Sequence, residues 1–454
     1  MLKSKIFIIL LLGVLTGGIT AYSPAYTFTL IIFLSGLLIG FLCIKLSNSQ
    51  DTRFLITIFL TGYLLRILIS LALYLYASQF EYREAGSFAW VGFFIGDGLS
   101  YFSNGRDLSK LWEIGIFPDM STFKLYYAPC PTVSTYCYFN GLIMHLAMGR
   151  NPVMLFFINC IFGALSILLI YFITLRLVGM KVARCASVLY CFWPSLILWS
   201  TQNLKEPMYA FMVLLLILSM LILIERFNVR YMLLAFLASY VLVTIRPPMA
   251  LTVAVLFFIF YLIFMLKRKK NAHHLLASLI FGLICFLILS SFSGFLWIKE
   301  FIPSWEHLNT TFLLKNLTLA RSVRAFGGSA ILPQLEFTSL WKLLFFIPVA
   351  TLIVFFMPFP WQVGSAMQMM AFPEMLIWYA LLPFTVRGFI YAFKKDRQKT
   401  IIISTYVLTV ALILGIAEGN VGTLFRHRST VISLCLIFTG IGICLKKDGS
   451  LKKL

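Results

Sequence analysis

The feature that most constrains this chain is a series of about a dozen apolar runs, each close to the ~20 residues that a helix needs to cross a bilayer. The runs are continuous, as in 251–266. The strands of a membrane β-barrel would instead alternate apolar and polar residues over about ten positions. The sequence therefore predicts an all-α, polytopic membrane protein with about 12 transmembrane helices.

Composition excludes a soluble chain. Hydrophobic residues make up 61% of the 454 residues and charged residues only 12%, against about 45–50% and about 25% in soluble domains. The formal net charge is +21. Because most of the lysines and arginines stand at the ends of apolar runs, where cytoplasmic loops collect them, we expect no nucleic-acid partner.

The basic residues also set the orientation of the spans, because cytoplasmic loops are enriched in Lys and Arg. Lys3 and Lys5 place the N-terminus in the cytoplasm, and the basic runs 267–270 and 394–397 mark later cytoplasmic ends. The spans that agree with these marks are about 6–22, 26–45, 54–77, 152–176, 182–200, 207–225, 230–245, 249–266, 274–296, 373–393, 400–417 and 429–445.

Two further apolar stretches, 131–149 and 341–358, would invert later basic ends if they crossed. We therefore expect external helices that lie on the outer surface or re-enter it.

This topology predicts three parts: an N-terminal two-span hairpin at 1–53, a larger membrane domain at 54–445, and a basic cytoplasmic tail at 446–454. The membrane domain has long external loops at 78–151 and 297–372. Cytoplasmic connections are only a few residues long. Any chemistry is therefore expected on the outer face.

The first external loop contains an acidic residue followed four positions later by a tyrosine. Asp97 and Tyr101 would share one face of a helix. A carboxylate there can act as a general base, whereas the alternative is a helix N-cap. Arg106 lies farther along the same segment.

A second polar stretch, 193–207, joins two spans and contains Lys205 and Glu206. It is either a capped hairpin with an exposed Lys–Glu pair or the polar lining of a cavity at the outer ends of the spans. Arg66, deep in the third predicted span, is expected to be either paired internally or functional.

Several arginines fall on the predicted outer side, against the general bias of basic residues. Guanidinium groups bind phosphate through paired hydrogen bonds, and the alternative is snorkelling to lipid headgroups. These residues are Arg246, Arg321, Arg324, Arg426 and Arg428. No group of carboxylates and histidines calls for a metal, so we expect no required cofactor, although a divalent metal would be compatible.

These features together resemble the C superfamily of glycosyltransferases (GT-C), multi-span enzymes that use polyprenyl-phosphate sugars. The resemblance covers roughly 54–445 and is strongest to the branch of protein mannosyltransferases and bacterial lipid A sugar transferases. It rests on Asp97 and Tyr101 in the first long external loop, on a surface helix at 138–148 that leads into the next span, and on Arg426-His-Arg428 before the last span.

The resemblance implies that Asp97 matches the position of the family's catalytic acidic residue. It further implies an integral membrane protein of the bacterial plasma (inner) membrane. There it would move a sugar from a polyprenyl-phosphate donor to a glycan, lipid or protein acceptor at the outer face. We expect single displacement with inversion and Asp97 as base. The residues expected to bind substrate are Tyr101, Arg106, Lys205, Glu206, Arg246, Arg321, Arg324, Arg426 and Arg428.

Two alternatives stay open. A lipid-linked glycan polymerase or ligase would also work on the outer face and would suit external arginines equally. A transporter or lipid flippase would fit twelve spans, although such proteins commonly show two similar halves.

Overall fold

A computed structural model describes residues 24–78, 96–127, 133–267, 310–325, 329–364 and 366–447. Across these residues the chain forms 17 α-helices, and its one β-feature is an isolated bridge between Ala330 and Asn420. The chain is therefore all-α, as predicted. It divides into two compact units: the first is Met1–Leu168 with Leu196–Phe211, and the second is Leu169–Ser195 with Met212–Leu454.

The helices follow one another in chain order. The earlier ones are α1 Pro24–Leu46, α2 Thr52–Ser78, α3 Gly96–Glu113, α4 Met120–Tyr126, α5 Thr135–Leu146, α6 Pro152–Leu177, α7 Met180–Cys191, α8 Pro194–Ser200 and α9 Glu206–Glu225. The later ones are α10 Val229–Ile245, α11 Ala250–Lys267, α12 Thr310–Ser322, α13 Leu340–Phe356, α14 Ala366–Lys395, α15 Arg397–Ala417, α16 Val421–His427 and α17 Ser429–Lys447.

Eight helices of the described residues are long and apolar enough to cross a membrane: α1, α2, α6, α9, α11, α14, α15 and α17. A ninth crossing results if α7 and α8 form one broken span, and α10 is a shorter apolar helix. The predicted spans 6–22 and 274–296 lie outside the described residues. Of the other ten, eight coincide with these long helices, whereas 182–200 is the bent pair α7 and α8, and 230–245 is the shorter helix α10. The protein is thus an integral membrane protein.

The two stretches predicted as external helices form α5 and α13. The α5 helix has 12 residues, well short of the ~20 that a crossing requires. The α13 helix has 17 residues with Pro348 inside it, and it belongs to the shorter apolar helices.

Charged residues join the helix ends that the sequence places in the cytoplasm. Arg176 at the end of α6 pairs with Glu225 at the end of α9. Lys399 at the start of α15 lies 3.0 Å from Glu225 and 2.9 Å from Asp396. These three helix ends therefore lie together, as their shared predicted side requires.

Glycines allow helices of the second unit to pack closely. A Cβ on Gly388 of α14 would clash with the backbone carbonyl of Phe438 of α17, and one on Gly442 of α17 would clash with that of Phe384. Small residues at such interfaces are typical of membrane helix pairs, which associate through close van der Waals contact.

In the first unit, Gly105 of α3 meets Gly141 of α5 in the same manner. A Cβ on Gly105 would lie 3.0 Å from the amide nitrogen of Gly141 and 2.8 Å from the Cβ of Asn140. The backbones of α3 and α5 therefore lie close together. This contact places the helix that carries Asp97.

Arg66 is paired internally. Its Nε donates a hydrogen bond to the Oγ of Ser200 (2.9 Å), and its Nη1 donates to the carbonyl of Gly62 (3.0 Å). The partner that the sequence left unnamed thus lies 134 positions away in the chain.

Candidate functional site

Asp97 lies in the first turn of α3, directly after Gly96 begins the helix. Its side chain is partly exposed. The residue is within the helix and not at its cap, which was the alternative interpretation. The positive end of the helix dipole favours a carboxylate at this position.

Tyr101 lies one turn farther along α3, as the four-residue spacing predicts. Its ring is buried and meets the ring of Tyr136 edge-on, with 5.3 Å between centroids. The Nζ of Lys205 stands 5.7 Å from the centroid of the Tyr101 ring. Two of the predicted substrate-binding residues, from distant parts of the sequence, are therefore neighbours.

The polar stretch between α8 and α9 is buried. Glu206 begins α9 and is only 2% exposed, and Asn203 is 0% exposed. This burial contradicts the interpretation of the stretch as a hairpin with an exposed Lys–Glu pair.

A hydrogen-bond network links this buried stretch to the start of α3. The Nδ2 of Asn203 donates to the carbonyl of Gly98 at 3.0 Å. The Oδ1 of Asn203 accepts from Tyr136 Oη at 2.9 Å and from Asn140 Nδ2 at 3.1 Å. Tyr136 in turn accepts from Asn159 Nδ2 at 3.0 Å. Asn203 belongs to the polar stretch that sequence analysis singled out, whereas Tyr136, Asn140 and Asn159 were missed, because nothing in their spacing links them to it.

The protonation state of Tyr136 suits its role as the hydrogen-bond donor to Asn203. Burial raises the pKa of Tyr136 well above its ordinary value; the hydrogen bond from Asn159 opposes this rise, and the nearby negative charge of Glu206 adds to it. The phenol therefore stays protonated and donates to Asn203 at any physiological pH.

Arg106 lies on α3 with its Nε 3.2 Å from the Oδ1 of Asp107. Its side chain is 40% exposed. The partner is the adjacent residue, so this ion pair leaves Arg106 at the surface of the helix.

The five arginines that are predicted to lie on the outer side have different environments within the second unit. Arg321 is 1% exposed and caps the end of α15: its Nη1 donates to the carbonyls of Gly415 (3.2 Å), Ile416 (3.2 Å) and Glu418 (2.9 Å). Its Nη2 donates to the carbonyl of Ile331 at 3.0 Å. The last carbonyls of a helix lack intrahelical donors, and Arg321 provides them.

Arg428 makes an equivalent contact at the end of α13. Its Nη1 donates to the carbonyls of Val354 and Met357, and its Nη2 lies 2.8 Å from the sulfur of Met375. Burial lowers the pKa of Arg428 to about 10, so the guanidinium remains charged at neutral pH.

The remaining three arginines act electrostatically on a buried pair, Glu418 and His427. Glu418 is 4% exposed, and its Oε1 lies 2.7 Å from the Nδ1 of His427. Arg246 and Arg324 act electrostatically on Glu418, and Arg246 and Arg426 act on His427. Arg324 is exposed and also donates to the carbonyl of Ala417 at 3.3 Å.

The charges of this cluster follow from its burial. Burial lowers the pKa of His427 to about 4, and the charge of Arg246 contributes. Burial tends to raise the pKa of Glu418, but His427, Arg324 and Arg246 lower it to about 2. At neutral pH the histidine is therefore neutral and the glutamate ionised.

Glu374 is a buried acid that sequence analysis missed. It accepts hydrogen bonds from Ser195 through the backbone nitrogen (2.6 Å) and the Oγ (2.9 Å), and it interacts electrostatically with Arg428. The available signal was a single acidic residue inside the apolar run that forms α14.

Among the residues that the structure describes, no three or more His, Cys, Asp or Glu side chains lie together in a way that could hold a metal ion.

No family model matches the chain, and no curated protein matches its sequence. Several solved structures are similar, among them the following three. ArnT from Cupriavidus metallidurans, bound to undecaprenyl phosphate, is 12% identical and has a TM-score of 0.48, over 84% of this chain and 60% of its own. The oligosaccharyltransferase AglB from Archaeoglobus fulgidus, with an inhibitory peptide and a dolichol-phosphate, is 14% identical and has a TM-score of 0.49, over 88% and 51%. An apo oligosaccharyltransferase of that organism is 14% identical and has a TM-score of 0.47, over 86% and 51%.

This chain thus spans between 51% and 60% of the length of these structures. With TM-scores below 0.5, these likenesses by themselves assign no activity to this chain.

Proposed function

We propose that this chain is a membrane glycosyltransferase that moves a sugar from a polyprenyl-phosphate donor to a cell-envelope acceptor at the outer face. One observation supports this above the others. The acidic residue at the family's catalytic position stands partly exposed in a helix turn that is hydrogen-bonded to a buried polar loop. That loop also carries Lys205 and Glu206.

The chemistry needs one carboxylate. Asp97 takes the proton from an acceptor hydroxyl while the oxygen of that hydroxyl forms a bond with the anomeric carbon of the donor sugar. The bond between that carbon and the phosphate oxygen breaks, and the configuration inverts. The lipid phosphate leaves as an anion, so no second acid is required. A cation near the leaving oxygen stabilises the charge that develops there.

In the first unit, Lys205 is a cation that could stabilise the leaving phosphate. It lies beside Tyr101, which is on the same helix as Asp97. In the second unit, Arg246, Arg324 and Arg426 act electrostatically on the Glu418–His427 pair, and guanidinium groups of this kind suit a phosphate-bearing lipid. The proposed location is the bacterial inner membrane, with membrane lipid as a further partner.

The test measures release of polyprenyl phosphate from a labelled polyprenyl-phosphate sugar by purified protein, with envelope material of its host as acceptor. Asp97→Asn should lower the rate by about 100-fold or more. Asp119→Asn is the matched control: Asp119 caps α4 by accepting from the amide of Thr122, and asparagine caps equally well. Full activity of Asp97→Asn would remove Asp97 from the mechanism.

The products separate the alternative functions. Release of a lipid diphosphate and growth of a polymer would identify a polymerase or ligase. Movement of intact donor across vesicles without cleavage would identify a flippase. Either result would contradict the proposed single-sugar transfer.

A further inference from the structure

We propose that Asn203 is a positioning residue for Asp97. This inference rests on the proposed function and adds a residue to its machinery. Asn203 lies between α8 and α9 and is 0% exposed. The amide of Asn203 is hydrogen-bonded on both its nitrogen and its oxygen, so its partners reveal what it holds in place.

The amide nitrogen holds the start of α3. Asn203 Nδ2 donates to the carbonyl of Gly98 at 3.0 Å, and Gly98 directly follows Asp97 in the chain. This carbonyl lies in the peptide plane between residues 98 and 99, so fixing it holds the backbone of the helical turn that carries Asp97.

The amide oxygen fixes the orientation of the side chain. Asn203 Oδ1 accepts from Tyr136 Oη and from Asn140 Nδ2, at 2.9 and 3.1 Å. Reversing the amide would set its NH2 group against the NH2 of Asn140 and would lose the bond to Gly98. The network therefore permits one orientation, in which the nitrogen faces α3.

The backbone around Asn203 is held as well. Asn159 of α6 donates from its Nδ2 to the carbonyls of Gln202 (2.6 Å) and Leu204 (2.8 Å), the residues on either side of Asn203. The long helix α6 thus holds the backbone of Asn203 in place, and the side chain of Asn203 in turn holds the first turn of α3. A displacement of about 1 Å at a reacting group can lower a rate by about 100-fold.

The activity test compares Asn203→Ala with Asn104→Ala. Asn104 is a matched control because it is also a fully buried amide, lies on α3, and has only a long contact of 3.9 Å to the sulfur of Cys137. Asn203→Ala should lower kcat for polyprenyl phosphate release by about 10- to 100-fold, with the donor KM within about twofold. Asn104→Ala should keep kcat within about threefold.

A double variant separates positioning from a general structural effect. If Asn203 acts through Asp97, adding Asn203→Ala to Asp97→Asn should change the residual rate by less than about twofold. A second full loss in that background would overturn the proposal, as would a kcat of Asn203→Ala within about threefold of wild type.

Amide hydrogen exchange tests the inference without any activity. Asn203→Ala should speed exchange at 98–102 by about tenfold, the factor that corresponds to one lost hydrogen bond, and Asn104→Ala should not. Unchanged exchange would refute the positioning role even if the proposed glycosyl transfer were wrong. Should Asn203→Ala not fold, Asn203→Leu serves instead, since leucine is close to asparagine in size and has no donor for the Gly98 carbonyl.

Discussion

Replacing Arg321 by methionine is expected to destabilise the protein strongly. The change keeps much of the side-chain length and removes the donors to four backbone carbonyls at and near the end of α15. At about 1 kcal/mol for each buried hydrogen bond lost, the free energy of unfolding should fall by about 3–4 kcal/mol. The loss of the contact with the Phe346 ring, 5.4 Å from the guanidinium carbon, acts in the same direction.

Arg324 provides the control, because it lies three residues later and has an exposed side chain with one contact of 3.3 Å to the Ala417 carbonyl. Arg324→Met should therefore cost less than about 1 kcal/mol. Unfolding by SDS in mixed micelles, followed by circular dichroism, measures both variants. Equal stability of the two would refute the capping role. A stable Arg321→Met with a raised donor KM would instead show that Arg321 binds substrate, as the sequence predicts.

Two further predictions concern the cluster around Glu418. The pKa of His427 is about 4 in the folded protein, against an ordinary value of 6.5. Between these values the unfolded chain binds more protons than the folded one. The free energy of unfolding should therefore fall by about 3 kcal/mol as the pH drops from 6.5 to 4. SDS unfolding across that range should show the fall in wild type and a much smaller one in His427→Gln. Arg426→Ala should raise the donor KM by about tenfold; an unchanged KM would mean that Arg426 only anchors headgroups.

Much of the fold could be predicted from the sequence, because two strong physical constraints act on it. Bilayer thickness sets the length of the apolar runs, and the bias of Lys and Arg sets their direction. The ion pairs among Arg176, Glu225 and Lys399 agree with that direction. Which helices pack together was not predictable, since a glycine such as Gly388 in an apolar run gives no sign of its neighbour.

The candidate site was predictable only where the evidence is local. Asp97 and Tyr101 are four residues apart, so helical geometry alone places them on one helix. The contacts of Asn203 with Tyr136 and Asn140 join residues 67 and 63 positions apart. No spacing rule connects such residues. An asparagine in an apolar stretch of sequence does not reveal which distant residues it will contact.

The arginines show why one sequence signal can have two physical causes. A basic residue on the outer side needs an acceptor of hydrogen bonds, and the last carbonyls of a buried helix satisfy that need as well as a phosphate does. Arg321 and Arg428 meet such carbonyls, at the ends of α15 and α13. Their position is therefore explained without a ligand. The case for an anion consequently rests on Arg246 and Arg324, which act on the ionised Glu418, and on Arg426, which acts on the neighbouring His427.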